Sequence, residues 1–191
     1  MMAIKRTIFI IPGYRQGPSN KAYREIIAIL ENEGYNSIPV TIPWKKTTIS
    51  ENTKYFLKEY NKIQRKKKYI LGFSFGAMIA LLASTKVTTS GVVLCSLSPY
   101  FKEDLKKIKN TMRHQDFSKL KSATLAKKIK AEQILMLYGS REARQLIKRV
   151  KETYHQIPSL KKKLLPIKQT DHNIGSRKYL QTIHQAAQEL N

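Results

Sequence analysis

Residues 71–82 read LGFSFGAMIALL, and within them Gly72, Ser74 and Gly76 form the pattern GxSxG. Apolar runs precede and follow the serine. This arrangement predicts a buried strand that passes directly into a helix, with Ser74 on the turn between them. The glycines suit such a turn because side chains beside the serine would collide with the neighbouring strand and helix. Ser74 is therefore either a structural turn residue or an exposed nucleophile.

The rest of the chain alternates between strand and helix patterns. Strands are predicted at residues 7–11, 36–43, 68–73, 91–96, 133–138 and 164–168, and helices at residues 21–32, 48–63, 77–84, 142–155 and 179–190. Residues 100–130 are basic and less regular, with helical patches. Such alternation predicts right-handed crossovers and a parallel sheet with helices on both faces.

The 191 residues contain no linker, internal repeat or low-complexity tract. We therefore expect one α/β domain over residues 1–191, a three-layer sandwich whose mostly parallel central sheet has about six strands. Pro39 interrupts the second strand, which predicts a short strand or one near a sheet edge. Thr48 and Glu51 form a capping-box pair that begins the second helix.

The charge of the chain is its one compositional peculiarity. Thirty-six Lys and Arg residues against thirteen Asp and Glu residues give a formal net charge of +23, whereas the hydrophobic fraction of 41% is ordinary. The basic residues are spread along the chain without a nucleic-acid-binding motif, so we expect no specific nucleic-acid partner.

The sequence also bears on redox environment and location. Cys95 is the single cysteine, which excludes a disulfide within the chain and fits a reducing compartment. The apolar run at residues 7–11 is too short for the hydrophobic part of a secretion signal or for a membrane span. We therefore expect a soluble cytoplasmic protein.

Ligands of open parallel sheets bind at the carboxyl ends of the strands, so the residues just after each predicted strand are the candidates for chemistry. A serine, carboxylates and a histidine follow different strands. These candidate residues are Tyr14 and Arg15 after the first strand, Ser74 after the third, Ser98 and Asp104 after the fourth, Arg141 and Glu142 after the fifth, and Asp171 and His172 after the last.

The segment GFSFG, between an apolar strand and an apolar helix, resembles the nucleophile elbow of the α/β-hydrolase superfamily. The order Ser74, Glu142, His172 is also the order of that superfamily, and the resemblance extends over nearly the whole chain. It implies that Ser74 is the nucleophile, that His172 accepts the serine proton, and that an acid orients the imidazole. It implies neither a cofactor nor a metal.

Alternatives remain for the acid. Glu142 stands where many α/β hydrolases have aspartate, and it could instead be a helix-terminal residue that interacts with the helix dipole. Asp104 is the alternative acid, whereas Asp171 is disfavoured because adjacent residues point in different directions. For the histidine, His172 is favoured by its position over His114, His155 and His184, which suit surface or packing roles.

The resemblance further implies an oxyanion hole formed by the backbone N–H groups of Tyr14 and Phe75. Many α/β hydrolases carry His-Gly where this chain has Pro12 and Gly13, so the loop is expected to keep the N–H donor but to lack a histidine that orders it.

The chain is similar to small, minimally capped hydrolases, namely the retinoblastoma-binding protein 9-like and YdeN-type group or small carboxylesterases. Only residues 100–130 are left for a lid, which favours a small ester or thioester substrate. Arg15 and Arg141, with Lys102 and Arg177, are expected near the active edge, where they could attract an anionic substrate. The alternative function is a catalytically silent hydrolase-like module that binds an acidic partner.

Overall fold

The structure, a computed structural model, describes residues 6–98, 115–116, 119–120, 122–158 and 161–190. The strands are β1 (Arg6–Ile11), β2 (Tyr35–Pro39), β3 (Lys68–Phe73), β4 (Thr89–Cys95), β5 (Ala131–Gly139) and β6 (Lys162–Ile167). The helices are α1 (Lys21–Asn32), α2 (Ile49–Lys62), α3 (Phe75–Ser84), α4 (Ser122–Ala126), α5 (Arg144–Gln156) and α6 (Arg177–Glu189). None of the helices in these ranges is long and apolar enough to cross a membrane.

The strands form one sheet in the order β2-β1-β3-β4-β5-β6, and every pair of neighbours is parallel. The predicted parallel α/β sheet is therefore confirmed. β2 lies at one edge and contains Pro39, which has no backbone N–H to donate to a neighbouring strand. The predicted capping box is also confirmed, because the Thr48 side chain accepts from Glu51 N–H while the Glu51 carboxylate accepts from Thr48 N–H.

Helices cover both faces of the sheet, as the alternating pattern predicts. One apolar cluster joins the sheet to α2, α3 and α5, with Phe56 of α2 and Val150 of α5 fully buried in it. A second cluster joins the opposite face to α1 and α6, where Ile26 and Ile183 are buried. The centre of the sheet is apolar on both faces because β1 and β3 are nearly continuous runs of buried residues.

Two of the helical segments predicted after β4 can be compared with the structure. The helix predicted from Glu142 begins only at Arg144, because the Glu142 carboxylate turns back to accept a hydrogen bond from Gly139 N–H and so closes a turn before the helix. The helical patches predicted between residues 100 and 130 lie mostly outside the described residues. Among the described ones, α4 is a helix within this range.

The glycines around Ser74 allow two close backbone approaches. A Cβ at Gly72 would lie 2.4 Å from Gly76 O in α3, and a Cβ at Gly76 would lie 2.2 Å from Ile11 O of β1. Both distances are far below a van der Waals contact, which confirms the predicted collisions with the adjacent helix and strand. The start of α3 consequently packs directly on the end of β1.

We expect Gly76→Ala to destabilise the protein by about 3 kcal/mol, because the added methyl group must push apart two backbone segments. Urea denaturation followed by circular dichroism measures the change. Gly17→Ala is the matched control, since its Cβ would have Ser19 Oγ at 3.9 Å as its nearest neighbour. Equal stability of the two variants would contradict the packing described above.

Candidate active site

Ser74 lies on a strained turn between β3 and α3. Its φ of 55° and ψ of −117° are outside the regions that residues with a side chain prefer. Ser74 N–H donates to Cys95 O at 2.9 Å, which continues the hydrogen bonding of β3 with β4, and α3 begins at the next residue. The serine is therefore held at the carboxyl edge of the sheet.

Glu142 and His172 form a close pair at the same edge. His172 Nδ1 lies 3.1 Å from Glu142 Oε2, a distance that suits donation from the ring N–H to the carboxylate. The carboxylate side chain is 0% exposed, whereas the histidine side chain is 40% exposed. The pair thus presents an accessible imidazole supported by a carboxylate that is shielded from water.

The second carboxylate oxygen of Glu142 has its own donors. Oε1 accepts from Gly139 N–H at 2.8 Å and from the Ser96 hydroxyl at 2.5 Å. Because Ser96 donates its proton to Glu142, the Tyr179 hydroxyl is the donor to Ser96 Oγ at 2.8 Å, with Leu137 O at 3.3 Å as a competing acceptor. Burial raises the pKa of Tyr179, so that its hydroxyl keeps its proton and acts as a donor. The Gly139 N–H and the Ser96 hydroxyl compensate for removing the Glu142 carboxylate from water.

Ser96 and Tyr179 are not among the site residues predicted from the sequence. Ser96 directly follows β4, at the edge where the other candidates lie, so its position in the sequence could have identified it as a candidate site residue. Tyr179 belongs to the buried face of α6, and a buried tyrosine hydroxyl generally requires a hydrogen-bond partner. Neither signal identifies Glu142 as the partner.

A close backbone approach holds the Glu142 turn beside the His172 loop. A Cβ at Gly139 would lie 2.3 Å from Thr170 O, so only glycine fits there without movement. Arg141 N–H donates to Thr170 O at 2.8 Å, and Gln169 N–H donates to Ser140 Oγ at 2.9 Å. These contacts join the loops after β5 and β6.

The His172 ring also packs on the residue that precedes Ser74. Its centroid lies 4.8 Å from that of Phe73, the last residue of β3, with 36° between the ring planes. Ser74 Oγ lies 3.4 Å from Ser98 Oγ, which therefore belongs to the immediate surroundings of Ser74. Ser74, Glu142 and His172 consequently lie at one edge of the sheet, after β3, β5 and β6.

The loop after β1 contains Tyr14 and is held by Tyr23 of α1. Gly13 N–H donates to the Tyr23 hydroxyl at 2.9 Å, and that hydroxyl donates to Gln16 Oε1 at 2.5 Å. Burial raises the pKa of Tyr23, which keeps this hydroxyl protonated. The Tyr14 ring lies 5.7 Å from the Phe75 ring, so the two residues predicted to form an oxyanion hole are neighbours.

The two arginines expected near the substrate line different pockets. Arg15 lines a pocket of about 410 Å³ together with Tyr14, Trp44, Lys45 and Lys46. Arg141 lines a pocket of about 200 Å³ that also includes Asp171 and Arg177. Lys102 and the alternative acid Asp104 lie outside the described residues.

The other histidines have different surroundings. His184 Nε2 lies 2.7 Å from Glu33 Oε1 on the outer surface of α1 and α6, and His155 is exposed in the last turn of α5. His114 lies outside the described residues. Within the described ranges, no group of three or more His, Cys, Asp and Glu side chains could hold a metal ion.

Several solved structures are similar to this chain, whereas no family model and no curated protein sequence matches it. A putative hydrolase from Agrobacterium vitis has a TM-score of 0.85 at 16% identity, with 97% of this chain and 88% of that chain covered. MGS-MChE2, an α/β hydrolase enzyme from the metagenome of lagoon sediments at Mar Chica, Morocco, has a TM-score of 0.78 at 17% identity, with 97% and 91% covered. A monoacylglycerol lipase from Paleococcus ferrophilus has a TM-score of 0.76 at 15% identity, with 96% and 93% covered.

We expect the Cys95 thiol to be unreactive in the folded protein. Its residue is 0% exposed, and burial raises the pKa of the thiol, which lowers the fraction of reactive thiolate. Ellman's reagent at pH 8 measures the reaction. The same chain in guanidinium chloride is the control and should react at one thiol per chain; rapid reaction of the folded protein would contradict the packing of β4.

Proposed function

Because the chain has the α/β-hydrolase fold, we propose that it is a serine hydrolase that cleaves a small carboxylic ester or thioester through an acyl-enzyme. The observation that most supports this proposal is the Glu142–His172 pair, 3.1 Å apart at the sheet edge where Ser74 stands on its strained turn. The fold by itself does not establish an activity, so the proposal rests on these three residues.

In the proposed mechanism, Ser74 Oγ attacks the substrate carbonyl carbon while His172 Nε2 takes the serine proton. Glu142 accepts the Nδ1–H hydrogen bond, which selects the tautomer with a basic Nε2 and stabilises the imidazolium. His172 then protonates the leaving alcohol or thiol. Water attacks the acyl-enzyme with His172 again as the base, so that the acid product is released and Ser74 is regenerated.

The negative charge on the tetrahedral intermediate would be stabilised by the N–H groups of Tyr14 and Phe75. Phe75 is the first residue of α3, so its N–H lies at the positive end of the helix dipole. The contact between the Tyr14 and Phe75 rings supports a shared role. Many α/β hydrolases have a histidine before the glycine of this loop, whereas here the Tyr23 hydroxyl binds Gly13 N–H.

The substrate class is supported by two observations. The similarity to a monoacylglycerol lipase favours a carboxylic ester. The stretch of about 35 residues between β4 and β5 is too short to enclose a long acyl chain in the manner of a large lid. A small ester such as p-nitrophenyl acetate is therefore the appropriate first substrate.

We expect a fluorophosphonate probe to label Ser74, because the probe reacts only with a serine activated by an assembled relay. Mass spectrometry of the digested adduct identifies the labelled residue, and Ser74→Ala should abolish labelling. Ser98→Ala is the matched control, since its hydroxyl lies 3.4 Å from that of Ser74 and labelling should persist without it. A folded protein that stays unlabelled would favour the alternative of a silent module for an acidic partner.

We expect Glu142→Gln to lower kcat for p-nitrophenyl acetate roughly a thousandfold, because the amide no longer favours the required histidine tautomer or its charged form. Asp104→Asn tests the alternative acid and should retain most of the activity. Asp171→Asn is the control for losing a carboxylate beside His172. Loss of activity in Asp104→Asn with an active Glu142→Gln would transfer the role to Asp104.

A further inference from the structure

A strongly basic pocket adjoins the candidate oxyanion loop. Its five lining residues are Tyr14, Arg15, Trp44, Lys45 and Lys46, and its volume is about 410 Å³. The first two residues follow β1 and the other three follow β2, so the pocket lies at the carboxyl ends of parallel strands. This is the edge at which ligands of open α/β sheets bind.

Aromatic contacts hold the pocket together. Trp44 is only 9% exposed, and its ring makes an edge contact with the Tyr14 ring at 5.5 Å. The Arg15 guanidinium lies 5.1 Å from the centre of the Tyr14 ring, a cation–π distance that limits the freedom of this side chain. The Thr47 hydroxyl donates to Pro43 O and closes the loop that presents Lys45 and Lys46.

The pocket has an excess of positive charge. Three of the five described residues that line it are cations, and none of these five is acidic. Among the described residues, no ion pair involves Arg15, Lys45 or Lys46. The carboxylates of Glu51 and Asp116, which do not line the pocket, accept from the N–H groups of Thr48 and Ser50 at the start of α2.

Two of the cations also have unusual backbone conformations. Arg15 has a φ of 58° and Lys46 a φ of 54°, values that side-chain-bearing residues seldom adopt. Such conformations recur at binding sites because the surrounding structure must hold them against their cost. These backbone conformations are a second observation, besides the positive charge, that indicates a binding pocket.

We propose that this pocket binds a carboxylate or phosphate carried by the substrate, so that the natural substrate is an anionic ester or thioester. The proposal rests on the proposed function, because Tyr14 connects the pocket to Phe75, the residue after Ser74. Guanidinium and ammonium groups are the usual partners of these anions. The Arg141 pocket is a weaker candidate because Asp171 lines it as well.

The experiment compares kcat/KM for mono-p-nitrophenyl adipate, whose carboxylate is too far along the chain to attack its own ester readily, with kcat/KM for neutral p-nitrophenyl acetate. Lys45→Gln/Lys46→Gln should lower the anionic-to-neutral ratio about tenfold, because two partly solvated charges are lost. Lys66→Gln/Lys67→Gln is the matched control, since it removes the same charge from exposed residues that do not line the pocket. The control variant should keep the ratio of the unmodified protein.

The salt dependence of the same ratio provides a second measurement. Raising the ionic strength should lower the anionic-to-neutral ratio of the unmodified protein and should lower it less in Lys45→Gln/Lys46→Gln. An anionic-to-neutral ratio that is the same in both double variants and insensitive to salt would overturn the anion-binding role of the pocket. If the fluorophosphonate still labels Ser74, the proposed hydrolase function is unaffected by that result. Absence of labelling at Ser74 would overturn the proposed function, and the substrate role of the pocket with it.

Discussion

The contact between the start of α3 and the end of β1 is the constraint on which the candidate site depends. It exists because Gly76 has no side chain, since a Cβ there would lie 2.2 Å from Ile11 O. This approach brings the loop after β1 beside the turn that holds Ser74, so that the Tyr14 and Phe75 rings touch. The position of Trp44 and of the basic pocket follows from the same contact, because Trp44 packs on Tyr14.

A second constraint is the burial of Glu142. A carboxylate that is withheld from water is unfavourable unless donors replace its hydration, and here Gly139, Ser96 and His172 supply them. Each donor comes from a different loop or strand end. The stability of the carboxylate therefore depends on the same loop arrangement that orients His172, which couples the local packing to the proposed chemistry.

Part of the positive charge of the chain is concentrated at the pocket beside Tyr14. A net charge of +23 spread over the surface attracts anions in general and specifies no site. Three cations that line one concave pocket, with Arg15 packed on the Tyr14 ring, instead define one position for an anion. The relevant property is thus the geometry of Arg15, Lys45 and Lys46 and not the total charge.

Local patterns in the sequence determined the alternation of strands and helices, the turn at Ser74 and the capping box at Thr48, because each depends on residues close together in the chain. The same reasoning placed the candidate residues at the carboxyl edge of the sheet, where Ser74, Glu142 and His172 lie. Only the tertiary structure decided that Glu142 meets His172, that Ser96 and Tyr179 support the carboxylate, and that Trp44 lies on Tyr14. Those contacts join residues distant in sequence, and their distances are set by sheet order and backbone packing.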